Sequence, residues 1–120
     1  MSYNITNVKV YKINLKIKQA NLRKLLMSNK DIEFSLDINQ KFYINACEGP
    51  IRGILDKSGY YIFKTLEPWG EGSGNAWTEF IKPLLENCEG TYEARFVWKS
   101  GDSITKVSCV NGKIIETEVE

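Results

Sequence analysis

Hydrophobic and polar residues alternate along most of this chain, and the alternation gives way to a helical spacing in two places. Successive side chains of a strand point to opposite faces, so a period of two marks a half-buried strand, while apolar residues at i, i+3, i+4 and i+7 mark a helix with one wet side. Residues 8–18 alternate with a change of phase: Val8 and Val10 are apolar at even positions, Ile13, Leu15 and Ile17 at odd ones. One extra residue near Tyr11, a β-bulge, restores the register. Lys12, Asn14, Lys16 and Lys18 then form the solvent side of the strand. From Gln19 to Asn29 the spacing is helical, with Leu22, Leu25, Leu26 and Met27 on one side and Arg23 and Lys24 on the other.

Residues 31–39 predict a second strand, since Ile32, Phe34, Leu36 and Ile38 alternate with Glu33, Ser35, Asp37 and Asn39. Phe42 to Cys47 follows through a hairpin at Gln40-Lys41. Ile51 to Leu55 and Tyr60 to Leu66 are joined by Asp56-Lys57-Ser58-Gly59, a type I turn closed by a left-handed glycine. Trp77, Phe80, Ile81, Leu84, Leu85 and Cys88 make a full helical stripe over residues 76–88. Pro83 lies inside it, so the helix either starts late, capped by Thr78, or kinks there; Gly90 suits a left-handed cap. The rest is a meander over 91–99, 103–110 and 113–119, turned at Ser100-Gly101-Asp102 and at Asn111-Gly112, a preferred type I′ pair. The order β-α-β-β-β-β-α-β-β-β predicts an α+β fold, a mostly antiparallel sheet with two helices packed on one face, forming a single domain over 1–120.

Composition narrows the chemistry. The chain has no histidine, which removes the commonest general base, the Ser-His and Cys-His pairs and the commonest metal ligand. Cys47, Cys88 and Cys109 are odd in number and widely spaced, as expected of buried thiols in a reducing compartment and not of a disulfide framework or a zinc site. The first residues lack a secretion signal and no apolar run approaches the ~20 residues that span a bilayer, so the expected location is cytoplasmic. Glu116, Glu118 and Glu120 alternate along one strand face, as do Glu33 and Asp37, and solvation accounts for such spacing. Net charge is +1, but residues 1–30 carry +7 and the remainder −6. Cross-strand pairing of Lys12, Lys16 and Lys18 with acids is the expected use of that asymmetry; a basic face for a polyanion is the competing one.

One stretch stands outside the periodic pattern. Glu67-Pro68-Trp69-Gly70-Glu71-Gly72-Ser73-Gly74-Asn75-Ala76-Trp77 places three glycines between two tryptophans at the approach to the second helix. Gly70, Gly72, Ser73, Gly74 and Asn75 suit a backbone that turns tightly or lies close to another group, and Trp69 beside them is the loop aromatic expected at an interface. The spacing matches neither a P-loop nor a dinucleotide fingerprint.

This aromatic-plus-glycine approach, together with Gly90-Thr91-Tyr92, Gly101-Asp102 and Val110-Asn111-Gly112-Lys113 over roughly the last 60 residues, resembles a family of small uncharacterised bacterial proteins, mainly actinobacterial. The resemblance implies the same fold and no particular activity. The function expected from the residues is that of a non-enzymatic interaction protein, of a size with bacterial or phage-borne inhibitors and immunity proteins, whose partner is another protein. The second reading is a module for a small anionic or nucleotide-like ligand at residues 69–77. No catalytic residue, cofactor or metal is expected, nor nucleic acid or a membrane as partner; exposed edge strands leave a homodimer by strand pairing open.

Overall fold

A computed structural model describes residues 4–99 and 103–119; the Ser100-Gly101-Asp102 turn and Glu120 lie outside them. Among the described residues eight strands form one antiparallel sheet: β1 (Ile5–Lys18), β2 (Glu33–Leu36), β3 (Lys41–Asn45), β4 (Ile51–Leu55), β5 (Tyr60–Leu66), β6 (Glu89–Trp98), β7 (Ile104–Val110) and β8 (Lys113–Val119). Helix α1 (Gln19–Ser28) follows β1. Between β5 and β6 runs a second helical segment made of α2 (Ser73–Ala76), a π turn over Trp77–Ile81, and α3 (Lys82–Glu86). The molecule is therefore α+β, and its element order roughly follows the one the periodicity implies, with the second helix broken into three segments.

In space the strands stand in the order β2-β3-β4-β5-β1-β6-β7-β8, so the longest and earliest strand is central, between β5 and β6. The register of β1 against β6 shifts between Val10 and Lys12, which puts the bulge at Tyr11 and keeps Val8, Val10, Ile13, Leu15 and Ile17 on one side. That side is the core. Phe42, Tyr61 and Phe63 meet edge to face at one end, and Trp77 and Phe96 at the other, with ring centroids 5.0–5.4 Å apart. Leu22 from α1 and Phe80, Ile81, Leu84 and Leu85 from the second helical segment are fully buried.

Local chemistry explains where elements end. β2 stops at Leu36 and not at Asn39 because the Asp37 carboxylate accepts the backbone N–H groups of Asn39 and Lys41, at 2.9 and 3.0 Å, and turns the chain. Ile38 is left 94% exposed in that turn. The second helix begins at Ser73, earlier than its apolar stripe implies. Thr78 is not its cap; its hydroxyl bonds back to the Gly74 carbonyl at 3.2 Å. Pro83, which has no N–H to give, sits in the first turn of α3 directly after the π turn, so the irregularity absorbs the missing bond without ending the helix. Gly90 lies inside β6, where the Asn14 carbonyl passes too close to leave room for a side chain, and so does not cap the helix. The turns at Gly59 and at Asn111-Gly112 have the positive φ values expected of them.

Candidate functional site

The glycine-rich loop is built into the frame of the domain. Gly70, at φ +91°, donates its N–H to the Ile5 carbonyl at 2.8 Å, and the buried Ser73 hydroxyl accepts the Ile5 N–H at 2.7 Å. The start of the central strand is thus tied to the loop. On its other side the loop rests on residues 46–50: Gly49 donates to the Trp69 carbonyl at 3.0 Å, and the Glu48 carboxylate accepts the Glu71 N–H at 2.8 Å. A backbone donor here is already occupied by an anion of the same chain. Trp69 is 38% exposed, and a Cβ at Gly49 would run into both it and the Glu67 carbonyl.

Of the loop residues, Gly72 and Asn75 line a cleft of about 220 Å³ whose walls include Asn29, Asp31, Ala46 and Glu79. Two carboxylates and two amides make that cleft attractive to donors and repulsive to phosphate or carboxylate groups. Gly74 is buried, and Trp69 does not line the cleft.

Glu116 has a specific task. Its carboxylate accepts the Trp77 indole N–H at 3.0 Å and pairs with Lys82 at 2.8 Å, pinning the second helical segment to the edge strand β8. This is the single ion pair among the described residues. Lys12 and Lys16 stand opposite Glu93 and Glu89 in the ladder, yet neither forms an ion pair among the described residues, and Lys18 stands opposite Tyr60.

With all helices on the core side, the other face of the sheet is uncovered. Ladder partners share a face, so its composition follows from register. It carries Lys9, Lys12, Lys16 and Lys18 on β1, Lys41 on β3, Arg52 on β4, Lys64 at the β5 bulge, Arg95 on β6, Lys106 on β7 and Lys113 on β8, all exposed, against Glu33, Glu89 and Glu93. A domain of net charge +1 has its positive charge gathered on one side. Two arrangements stand out. Lys9 pairs in register with Arg95, and Arg95 with Lys106, a row of three like charges directly abreast on adjacent strands, which costs stability unless counter-charge is supplied. Lys41, Arg52 and Lys64 surround a shallow hollow of about 250 Å³, floored by Gly53 and flanked by Tyr43 and Ile54, with no acid in its lining.

Aromatics are interleaved with these cations. The Lys9 ammonium lies 5.2 Å from the centre of the Tyr11 ring, Lys16 4.5 Å from Tyr60, and Arg52 5.6 Å from Tyr43. The Tyr60 phenol beside Lys16 is pushed up from its ordinary value by a hydrogen bond with Glu89. None of these residues belongs to the loop singled out in the sequence. Each lies on the polar side of an alternating strand, and only the strand order shows that those polar sides merge into one surface. No family model, curated protein or solved structure matches this chain.

Proposed function

We propose that this domain is a non-enzymatic binding module that engages its partner through the uncovered face of the sheet, and that the partner presents negative charge. The observation that carries this reading is the concentration on that face of exposed cations that form no ion pair among the described residues. Such a surface raises the local concentration of a polyanion and speeds its encounter with the protein, while acids elsewhere in the chain leave net charge near zero. The glycine-rich loop supports the same reading indirectly, by anchoring the central strand that contributes four of the lysines. As the place for a small anionic ligand it is disfavoured, because Glu48 already holds its Glu71 amide and Asp31 and Glu79 line the adjacent cleft.

Chromatography on immobilised heparin, a generic polyanion, tests the proposal. At about 50 mM salt the protein is expected to be retained and to elute as salt rises. A variant carrying Lys41→Gln, Arg52→Gln and Lys64→Gln is expected to elute markedly earlier, with an unchanged thermal midpoint. Flow-through of the wild-type protein at that salt would refute the proposal.

A further inference from the structure

The anionic partner has a recognisable chemistry. Resting on the open-face reading above, we infer that the surface binds single-stranded nucleic acid laid across the strands, with phosphates on the Lys9–Arg95–Lys106 row and in the Lys41–Arg52–Lys64 hollow, and bases against the tyrosines. Three observations favour this over an acidic protein. First, every tyrosine that carries a cation over its ring lies among the cations of this face, so charge and aromatic surface alternate as phosphate and base alternate in a single strand. Second, the two cation groups lie on β3–β5 and on β1, β6 and β7 and are staggered along β1, which meets β5 at Lys16–Lys18 and Arg95 at Lys9, so a chain joining them crosses the strands obliquely. At ~4.8 Å per neighbouring strand the five steps from β3 to β7 span roughly 24 Å across the strands alone, a reach suited to several extended nucleotides. Third, the like-charged row on β1, β6 and β7 has no ion-pair partner among the described residues, and closely spaced phosphates supply counter-charge.

Fluorescence anisotropy on the full chain, with fluorescein-labelled oligo(dT) and oligo(rU) of about 20 nucleotides, tests this inference. Either oligonucleotide is expected to bind. If about five phosphates are neutralised, raising salt from 50 to 200 mM weakens binding on the order of 100-fold. Replacing Lys9, Arg95 and Lys106 together by glutamine is expected to lower the slope of log affinity on log salt by about 2. Tyr43→Leu is expected to weaken binding roughly tenfold while leaving that slope unchanged, which a purely electrostatic surface would not do. Circular dichroism and thermal unfolding of each variant establish that it is folded.

Three outcomes would overturn the inference. Polyglutamate of matched length competing as well as oligo(dT) would assign the face to an acidic protein. A duplex of the same length binding more tightly than either single strand would assign it to double-stranded nucleic acid. Retention on heparin without binding of either oligonucleotide would remove the nucleic-acid assignment and leave the open-face reading intact, whereas loss of both would remove the two together.

Discussion

At the scale of single residues, the loop between β5 and the second helix and the 46–50 segment it rests on show how one glycine differs from another. Gly49 has no room for a methyl group, because the Glu67 carbonyl and Trp69 occupy the space. Gly72 has open space around it and needs only its positive φ of 81°. Gly49→Ala is therefore expected to destabilise the domain by about 2–3 kcal/mol, as overpacking against backbone does, and Gly72→Ala by about 1 kcal/mol, the cost of a side chain in the left-handed region. Urea unfolding of the two variants checks the order; equal losses would mean that the 46–50 segment moves aside freely. Gly49 drew no attention in the sequence, since it is an isolated glycine before a proline, while the run of glycines nearby did. Crowding by a segment some twenty residues away leaves no local signature.

At the scale of elements, α3 and β7 meet at a seam that holds two thiols. Cys88 follows α3 and is buried, and the Cys109 thiol on β7 points to the Leu85 carbonyl at 3.8 Å. Burial pushes both thiols up from their ordinary range, with the neighbouring Cys109 thiol adding to the effect at Cys88. A group whose folded-state pKa is raised contributes stability that is complete below its unfolded value, near 8.5 for a thiol, and that is lost as pH climbs above it. Between pH 7 and 9.5 the buried Cys88 thiol is expected to cost about 1.4 kcal/mol of unfolding free energy. Cys88→Ala should reduce that alkaline loss by about the same amount, read from urea midpoints at pH 7 and 9.5, and an unchanged pH profile would show that the thiol is reached by solvent. That these cysteines would be buried was legible from their apolar and strand-like settings. So were the bulge at Tyr11, from the change of phase, and the turns at Gly59 and Asn111-Gly112, from local turn chemistry. The true end of β2 was not, because alternation continues through Ile38 while the Asp37 side chain captures the backbone. Nor was the π turn, since a helical stripe has nearly the same period whether or not one turn is widened.

At the scale of the whole molecule, charge is sorted by face, a property that strand order creates and no stretch of sequence displays. The excess of lysine in residues 1–30 was visible, but whether those lysines face acids or one another depends on which strands flank β1. Cross-strand pairing was a sound expectation for an isolated strand. With β5 and β6 as neighbours, the row from Lys9 through Arg95 to Lys106 is cationic throughout. Arg95 stands between two like charges, so Arg95→Gln is expected to raise stability at low salt by up to about 0.5 kcal/mol, a gain that vanishes near 1 M salt. Thermal unfolding at two salt concentrations reads it, and a loss of stability at low salt would mean that Arg95 is already neutralised within the fold.

The central position of β1 has a consequence for how the chain reaches this state. Ile5 pairs with Trp98 and Lys16 with Ile62, so the earliest strand cannot be completed until nearly everything after it has been made. β2 through β5 can close as successive hairpins, while β1 waits with six apolar residues on one edge of an extended segment. Contacts so distant in sequence are slow to form, and an unpaired strand of that length is where chains stick to one another. Lys9, Lys12, Lys16 and Lys18 alternate with those apolar residues and repel a second copy, so the charges that mark the finished surface also act as gatekeepers for the strand while it is still alone.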